Sequence, residues 1–514
     1  MLSKVKSMSL EGLNGYLIEI QSDVSGGLPS FDIVGLPDIR VKEAKERVKS
    51  AIKNSGVDFP SRKIVVNLAP ADKRKEGTFF DLPIAIGIMI AIDEIRIKNL
   101  DDIENTIFLG ELSLDGKINK VNGILPMCIE AVNLGIKKVI IPKANAKEAS
   151  IIKGIEIIPV QYLKEVLDYL KGYINIESEP FNDNFIFEQT LNSNLDFSDV
   201  KGQENAKRAL EIAAAGSHNC ILIGSPGSGK TMLSERLTTI LPDLTFNEAL
   251  EITKIHSISG ELDLNKGLIT SRPFRRPHHT SSPISLIGGG RIPKPGEISL
   301  AHFGVLFLDE IPEFKKSTLE VLRGPLEDRN VTISRINASL TYPSNFMLIA
   351  SMNPCPCGYY GTDDNKCHCS EQAISKYIGQ ISGPLLDRID LHIEVKPVEY
   401  KKISSDEKVE SSIEIKERVN KARNIQLERY KDLNIYSNSE LSPNLIQKFC
   451  KLDAESKEFL KIAFEKLGLS GRAYGRILKV ARTIADLEGD ENIKKNHIAE
   501  AIQYRSLDRK YWKR

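Results

Sequence analysis

Short apolar runs set between polar, glycine-bearing turns dominate the first third of the chain. Residues 17–20, 31–34, 64–68, 106–109, 138–141 and 156–159 read as strands. Residues 38–55 carry a helical period that begins at Asp38, a residue type that caps helix N-termini, and residues 82–95 read as a buried helix. This alternation predicts an α/β domain over residues 1–172. Residues 173–194 are rich in Asn, Glu and Ser without a sustained period, which predicts a linker. A second α/β region follows over residues 195–400, with strands at 220–223, 305–308 and 346–350. Residues 401–514 are helical in pattern and highly charged, typified by 413–430 and 472–487. No repeat of solenoid type is present.

The apolar run 220–223 leads into Gly224-Ser225-Pro226-Gly227-Ser228-Gly229-Lys230-Thr231, a complete G-x-x-x-x-G-K-[ST] phosphate loop. Glycines let such a backbone turn tightly and aim successive N–H groups at phosphate oxygens. Lys230 is expected to reach the β- and γ-phosphates of ATP, and Thr231 to hold Mg²⁺ through its hydroxyl. The helix opening at Lys230 adds its positive dipole end. The run 305–308 ends in Asp309 and Glu310. Asp309 is expected to complete the Mg²⁺ shell, and Glu310 to polarise the attacking water.

Composition constrains partners weakly. The 514 residues carry 70 Lys+Arg against 69 Asp+Glu, a net charge of +1, so any basic surface has to be local. The longest apolar stretch, 82–92, is too short to span a bilayer and contains Pro83 and Gly87. No membrane association and a cytoplasmic location are therefore expected, with the seven cysteines reduced.

Further positions complete the nucleotide chemistry. Residues 196–203, with Val200 and Gly202, lie just before a helix, where an apolar residue can close over adenine. Asn353 follows the 346–350 strand and is placed to orient the lytic water beside Glu310. Arg388 stands at the end of the core, where an arginine can stabilise transition-state charge, often from a neighbouring subunit. Arg472 opens a C-terminal helix and could close over the γ-phosphate, with Arg476 as the competing candidate. In this order the motifs resemble the AAA+ superfamily, in particular its magnesium-chelatase/MCM-like branch. The resemblance implies that Asn353 is sensor 1, Arg388 an arginine finger and Arg472 sensor 2. A finger acting in trans implies a ring, and the resemblance suggests a homo-hexamer.

Asp309 follows Lys230 by 79 residues, which leaves room for an insertion. It contains a basic segment with Arg272, Arg275, Arg276, His278 and His279, then a glycine-rich stretch at 288–296. Local basicity beside flexible glycines could track a DNA backbone, with a subunit interface or a solvated face as the alternative. Residues 330–340 look like a hairpin. In MCM-like motors that hairpin carries a basic pore residue, and Arg335 occupies the matching place. Pore loops that move polypeptide usually show an exposed aromatic, and none stands out, which favours nucleic acid. Without a base-reading motif, the contacts expected are to backbone, on single-stranded or branched DNA of any sequence.

Cys355, Cys357, Cys367 and Cys369 form a C-x-C-x₉-C-x-C cluster directly after Asn353. Four thiolates suit a tetrahedral structural Zn²⁺, although C-x-C spacing is rarer than C-x₂-C. Unligated thiols and redox chemistry are the alternatives.

The whole chain resembles the YifB/ComM family of magnesium-chelatase-like proteins. In the first domain the resemblance rests on residues 31–38, 67–72 and 80–85, and near the C-terminus on residues 469–487. It implies an N-terminal domain similar in fold to the Lon-type protease domain, a central AAA+ P-loop NTPase domain and a C-terminal helical lid domain. A Ser/Lys protease needs a hydroxyl nucleophile and a nearby lysine. Alignment places those positions at Ile84 and Leu125, which cannot transfer a proton, so proteolysis is not expected. The function implied is a hexameric ATP-driven helicase that promotes branch migration in natural transformation and recombination. A porphyrin metal-chelatase ATPase and a MoxR-like remodeller of protein partners are the alternatives.

Overall fold

A computed structural model describes residues 2–95, 103–182, 195–290, 293–335, 338–361, 366–398, 400, 404, 409–433, 435–467, 471–505, 507 and 511–512. It forms two compact units. One comprises Met1–Glu188 with Phe246–Thr270, and the other Gln189–Thr245 with Ser271–Arg514. Most of the expected linker, residues 183–194, lies outside the described residues.

The first unit is built on a mixed sheet of β1 (Leu2–Glu11), β2 (Asn14–Ser25), β3 (Ser30–Val34), β4 (Lys63–Ala69), β5 (Thr106–Phe108), β6 (Lys138–Pro142) and β7 (Glu156–Val160). Their spatial order is β3-β4-β2-β1-β5-β6-β7. β1 and β2 pair antiparallel over their whole length, from Leu2↔Asp23 to Glu11↔Asn14. Helix α1 (Ile39–Asn54) starts where the Asp38 carboxylate accepts the Val41 N–H at 2.8 Å. It buries Val41, Ala44, Val48, Ala51 and Ile52, one stripe at helical spacing. Helix α2 (Asp81–Ala91) is buried on every side, as its uniform hydrophobicity requires. Helices α3 (Ile124–Asn133) and α4 (Leu163–Leu170) complete the α/β pattern.

Residues 246–270, expected within the nucleotide-binding region, instead belong to this first unit. Their helix, Phe246–Ser259, buries Ala249, Ile252 and Ile255 and packs against α3. A buried carboxylate fixes the contact. Glu148 accepts the Leu125 N–H at 3.0 Å, the Asn145 side-chain amide at 2.9 Å and the Ser257 hydroxyl. Burial pushes its carboxyl up, so these three donors are what make the site tolerable for a charge.

The second unit holds a parallel sheet of β8 (Cys220–Ile223), β9 (Phe274–Arg275), β10 (Val305–Leu308), β13 (Met347–Met352) and β14 (Leu391–Glu394), in spatial order β9-β10-β13-β8-β14. β8, β10 and β13 are buried throughout, as expected for central parallel strands covered on both faces. Between β10 and β13, strands β11 (Asn330–Arg335) and β12 (Ala338–Pro343) form the expected hairpin, from Asn330↔Pro343 to Arg335↔Ala338. Helices α5 (Glu204–Gly216), α6 (Lys230–Arg236), α7 (Ser412–Tyr430) and α8 (Gly471–Glu488) cover the sheet. The C-terminal helices share the core of this unit: Ile415, Val419, Ile477 and Ile484 pack in one cluster with Leu210, Leu222 and Leu391.

Candidate nucleotide site

The phosphate loop joins the end of β8 to α6. Gly224 has to be glycine, because a Cβ there would stand 2.2 Å from the Val395 carbonyl. The Lys230 ammonium folds back on the loop and donates to the carbonyls of Gly224 (2.9 Å) and Ser225 (3.0 Å) and to Asn353 Oδ1 (3.1 Å). Burial lowers its pKa, opposed by the nearby charges of Asp309 and Glu310. The hydroxyls of Ser225 and Ser228 are buried without a hydrogen-bond partner in the protein. Buried hydroxyls are ordinarily satisfied, so the loop offers donors suited to phosphate oxygens.

The carboxylate arrives from β10. Thr231 Oγ1 donates to Asp309 Oδ2 at 3.2 Å, which brings together the two side chains expected to hold Mg²⁺. Ser351, near the end of β13, donates to Asp309 Oδ1 at 2.5 Å and accepts the Glu310 N–H at 3.2 Å. Sequence reasoning missed Ser351; its signal is a fully buried hydroxyl in an otherwise apolar strand. Glu310 holds a left-handed backbone, φ 52° and ψ 50°, which is costly for a non-glycine residue. From the 196–203 segment, Gln203 donates to the carbonyls of Ser228 (3.1 Å) and Lys396 (2.5 Å). It ties Val200, which is buried, and Gly202 to the phosphate loop.

Lys230, Thr231, Asp309 and Asn353 thus converge, with Glu310 next to them. Arg388 and Arg472 do not join them. Arg388 lies just before β14, level with the start of β8: its carbonyl accepts from Asn219, and Cys220 pairs with Leu391. The phosphate loop leaves the other end of β8, about 13 Å away for a four-residue strand. Arg388 pairs with Glu327 and donates to the Pro384 carbonyl at 2.7 Å. Arg472 reaches Asp387 at 3.3 Å and is otherwise exposed, so in this chain it does not close over its own phosphate loop. Arg476 stands 3.6 Å from Asp390 at the same edge.

The arginines of the basic segment are engaged within the chain. Arg275 forms a two-pronged pair with Glu297, at 2.7 and 2.9 Å. Arg276 binds Asp309 Oδ2 at 2.6 Å and Glu235 at 2.9 Å, over the Phe307 ring. Arg272 donates to the carbonyls of Pro242, Phe303 and Asp243. Arg275 and Arg276, expected to face DNA, are thus both engaged by acids of this chain, and Arg276 reaches the Asp309 carboxylate while staying exposed. Arg335 ends β11, and its side chain lies outside the described residues. In the first unit, Ile84 on α2 and Leu125 on α3 are fully buried apolar side chains.

Comparison with known proteins places the chain among relatives. Family models described as magnesium chelatase subunit ChlI match residues 196–403, with companion models for subunit ChlI at residues 20–145 and for its C-terminal part at residues 409–505. Competence protein ComM of Haemophilus influenzae is 45% identical over 514 residues, covering 99% of this chain and 98% of its own length. YifB of Escherichia coli is 44% identical over 510 residues, with the same coverage. An archaeal Lon protease of Pyrococcus abyssi is 33% identical over 132 residues, 25% of this chain and 13% of its own length. The chain belongs to the YifB/ComM family of magnesium-chelatase-like proteins.

Proposed function

We propose that this protein is an ATP-hydrolysing AAA+ motor that works as a ring, a homo-hexamer by family resemblance, and drives branch migration of DNA. The convergence of Lys230, Thr231, Asp309 and Asn353 around unsatisfied hydroxyls carries the nucleotide part of this reading. Lys230 leaves the loop carbonyls for the phosphates, and Thr231 and Asp309 hold Mg²⁺. Glu310 takes the proton of the attacking water, and Asn353 orients that water.

The ring rests on Arg388 and Arg472. Each stands at the sheet edge opposite its own phosphate loop, so each serves hydrolysis only across an interface between copies. The DNA part is supported by near full-length similarity to a competence protein and by the hairpin that ends at Arg335. Uptake of single strands by natural transformation, followed by recombination, is the setting that similarity suggests.

The magnesium chelatase family models favour a second reading, an ATPase that remodels a protein partner. ATPase rates with and without fork and four-way DNA separate the two. Strong stimulation together with ATP-dependent unwinding of branched DNA is expected. Indifference to DNA with response to a protein partner would replace the motor with the remodeller.

A further inference from the structure

The nucleotide site borders four thiols that its chemistry does not use. The Sγ atoms of Cys355, Cys357, Cys367 and Cys369 all lie within 4.8 Å of one another. Cys355 and Cys357 are 3.3 Å apart, and each stands 3.7 Å from Cys367. A Zn–S bond of about 2.3 Å gives a tetrahedron with edges of about 3.8 Å. All four are free thiols, so the spacing is that of ligands around a metal. The Tyr360 N–H donates to Cys355 Sγ at 3.3 Å, the kind of supporting bond that orients a metal-bound thiolate.

Two contacts lead from this cluster to the candidate nucleotide site. Asn353, two residues before Cys355, accepts from Lys230 at 3.1 Å. Gly358, directly after Cys357, closes a turn by donating to the Cys355 carbonyl at 3.0 Å. Its backbone is left-handed, φ 87°, and it lies against the phosphate loop: a Cβ there would come within 2.4 Å of Pro226 Cδ.

We propose that the four cysteines bind one Zn²⁺, and that this metal holds Asn353 and Pro226 in position so that zinc occupancy sets the affinity for ATP. The inference rests on the nucleotide-site reading above. Full-length protein purified without chelators should carry about one zinc per chain by elemental analysis. Chelation under reducing conditions should weaken binding of a fluorescent ATP analogue at least several-fold, and added Zn²⁺ should restore it. The Cys367→Ser, Cys369→Ser double variant should lose zinc and bind the analogue as weakly.

Should that variant misfold, Gly358→Ala leaves the thiols intact. It should keep zinc and a wild-type circular dichroism spectrum while binding the analogue several-fold more weakly. Protein isolated without zinc, or nucleotide affinity unchanged by zinc removal, overturns the proposal. Unchanged affinity in Gly358→Ala overturns the route through Pro226. If zinc-loaded wild type fails to bind the analogue, the nucleotide-site reading falls too, whereas binding that ignores zinc removes this proposal alone.

Discussion

The two ends of the parallel sheet in the second unit are chemically opposite. At the carboxyl ends of β8, β10 and β13 stand a phosphate loop and the acids Asp309 and Glu310. At the amino end of β14, Arg388, Arg472 and Arg476 gather around Asp387 and Asp390. On the proposed reading, one end holds a nucleotide and its metal, and the other carries the cations for a transferring phosphoryl group. The length of a four-residue strand, about 13 Å, separates them. The difference is what the proposed ring rests on: on that reading each chain carries two halves of different sites, and a neighbouring copy pairs them.

Lys230→Ala attacks the first end and should abolish ATP binding, measured by equilibrium titration. Arg388→Ala attacks the second and should leave binding intact while turnover falls about 10³-fold or more. Mixing the two inactive variants then sharpens the comparison. Partial recovery of ATPase activity is expected, since some interfaces join an intact loop to an intact arginine. No recovery at any mixing ratio would mean that the two ends do not meet between copies.

Glu310→Gln should bind ATP normally and lose turnover by about 10²-fold or more, because only water activation is removed. Normal turnover would move the base elsewhere. Arg276→Ala tests whether this guanidinium competes with Mg²⁺ for Asp309. The Mg²⁺ concentration for half-maximal nucleotide binding should fall several-fold, and a rise would make Arg276 a ligand-binding residue instead.

The smallest effect concerns stability of the far edge. Burial pushes the Asp390 carboxyl up, but the His218 hydrogen bond and the nearby Arg476 and Lys479 outweigh it and hold the pKa at about 2. A carboxyl depressed in the fold stabilises above its unfolded pKa of about 3.9 and loses that contribution as pH falls towards its folded value. Asp390→Asn should therefore cost about 2 kcal/mol at neutral pH in urea unfolding, with the gap to wild type closing between about pH 4 and pH 2. A gap that stays constant over that window would assign the loss to packing.

Legibility in the sequence followed locality. The strand preceding the phosphate loop and the strand preceding Asp309 were readable to the residue, because continuous apolar runs end there in glycine or acid. The α1 cap at Asp38 was equally plain. β1 was not, since its inward positions include Ser3, Ser7 and Ser9. Two of these hydroxyls find carbonyls on distant elements, Ser3 on Gly87 at 2.6 Å and Ser7 on Phe108 at 2.9 Å, so polar residues sit inside where apolar alternation would be expected. Gln203 and Ser351 escaped notice as site residues for the same reason, since their partners lie on other strands and loops.

The sequence by itself determined the motifs whose parts are neighbours along the chain: the phosphate loop, the acidic pair after β10, the four cysteines and the helix caps. Only the tertiary structure decided that Arg276 pairs with Asp309, that helix Phe246–Ser259 joins the first unit, and that Arg388 and Arg472 stand opposite their own phosphate loop. The physical reason is strand order. In a parallel sheet wound β9-β10-β13-β8-β14, the end of the sheet at which a residue lies depends on strand direction and register, set by pairing between residues far apart in the chain.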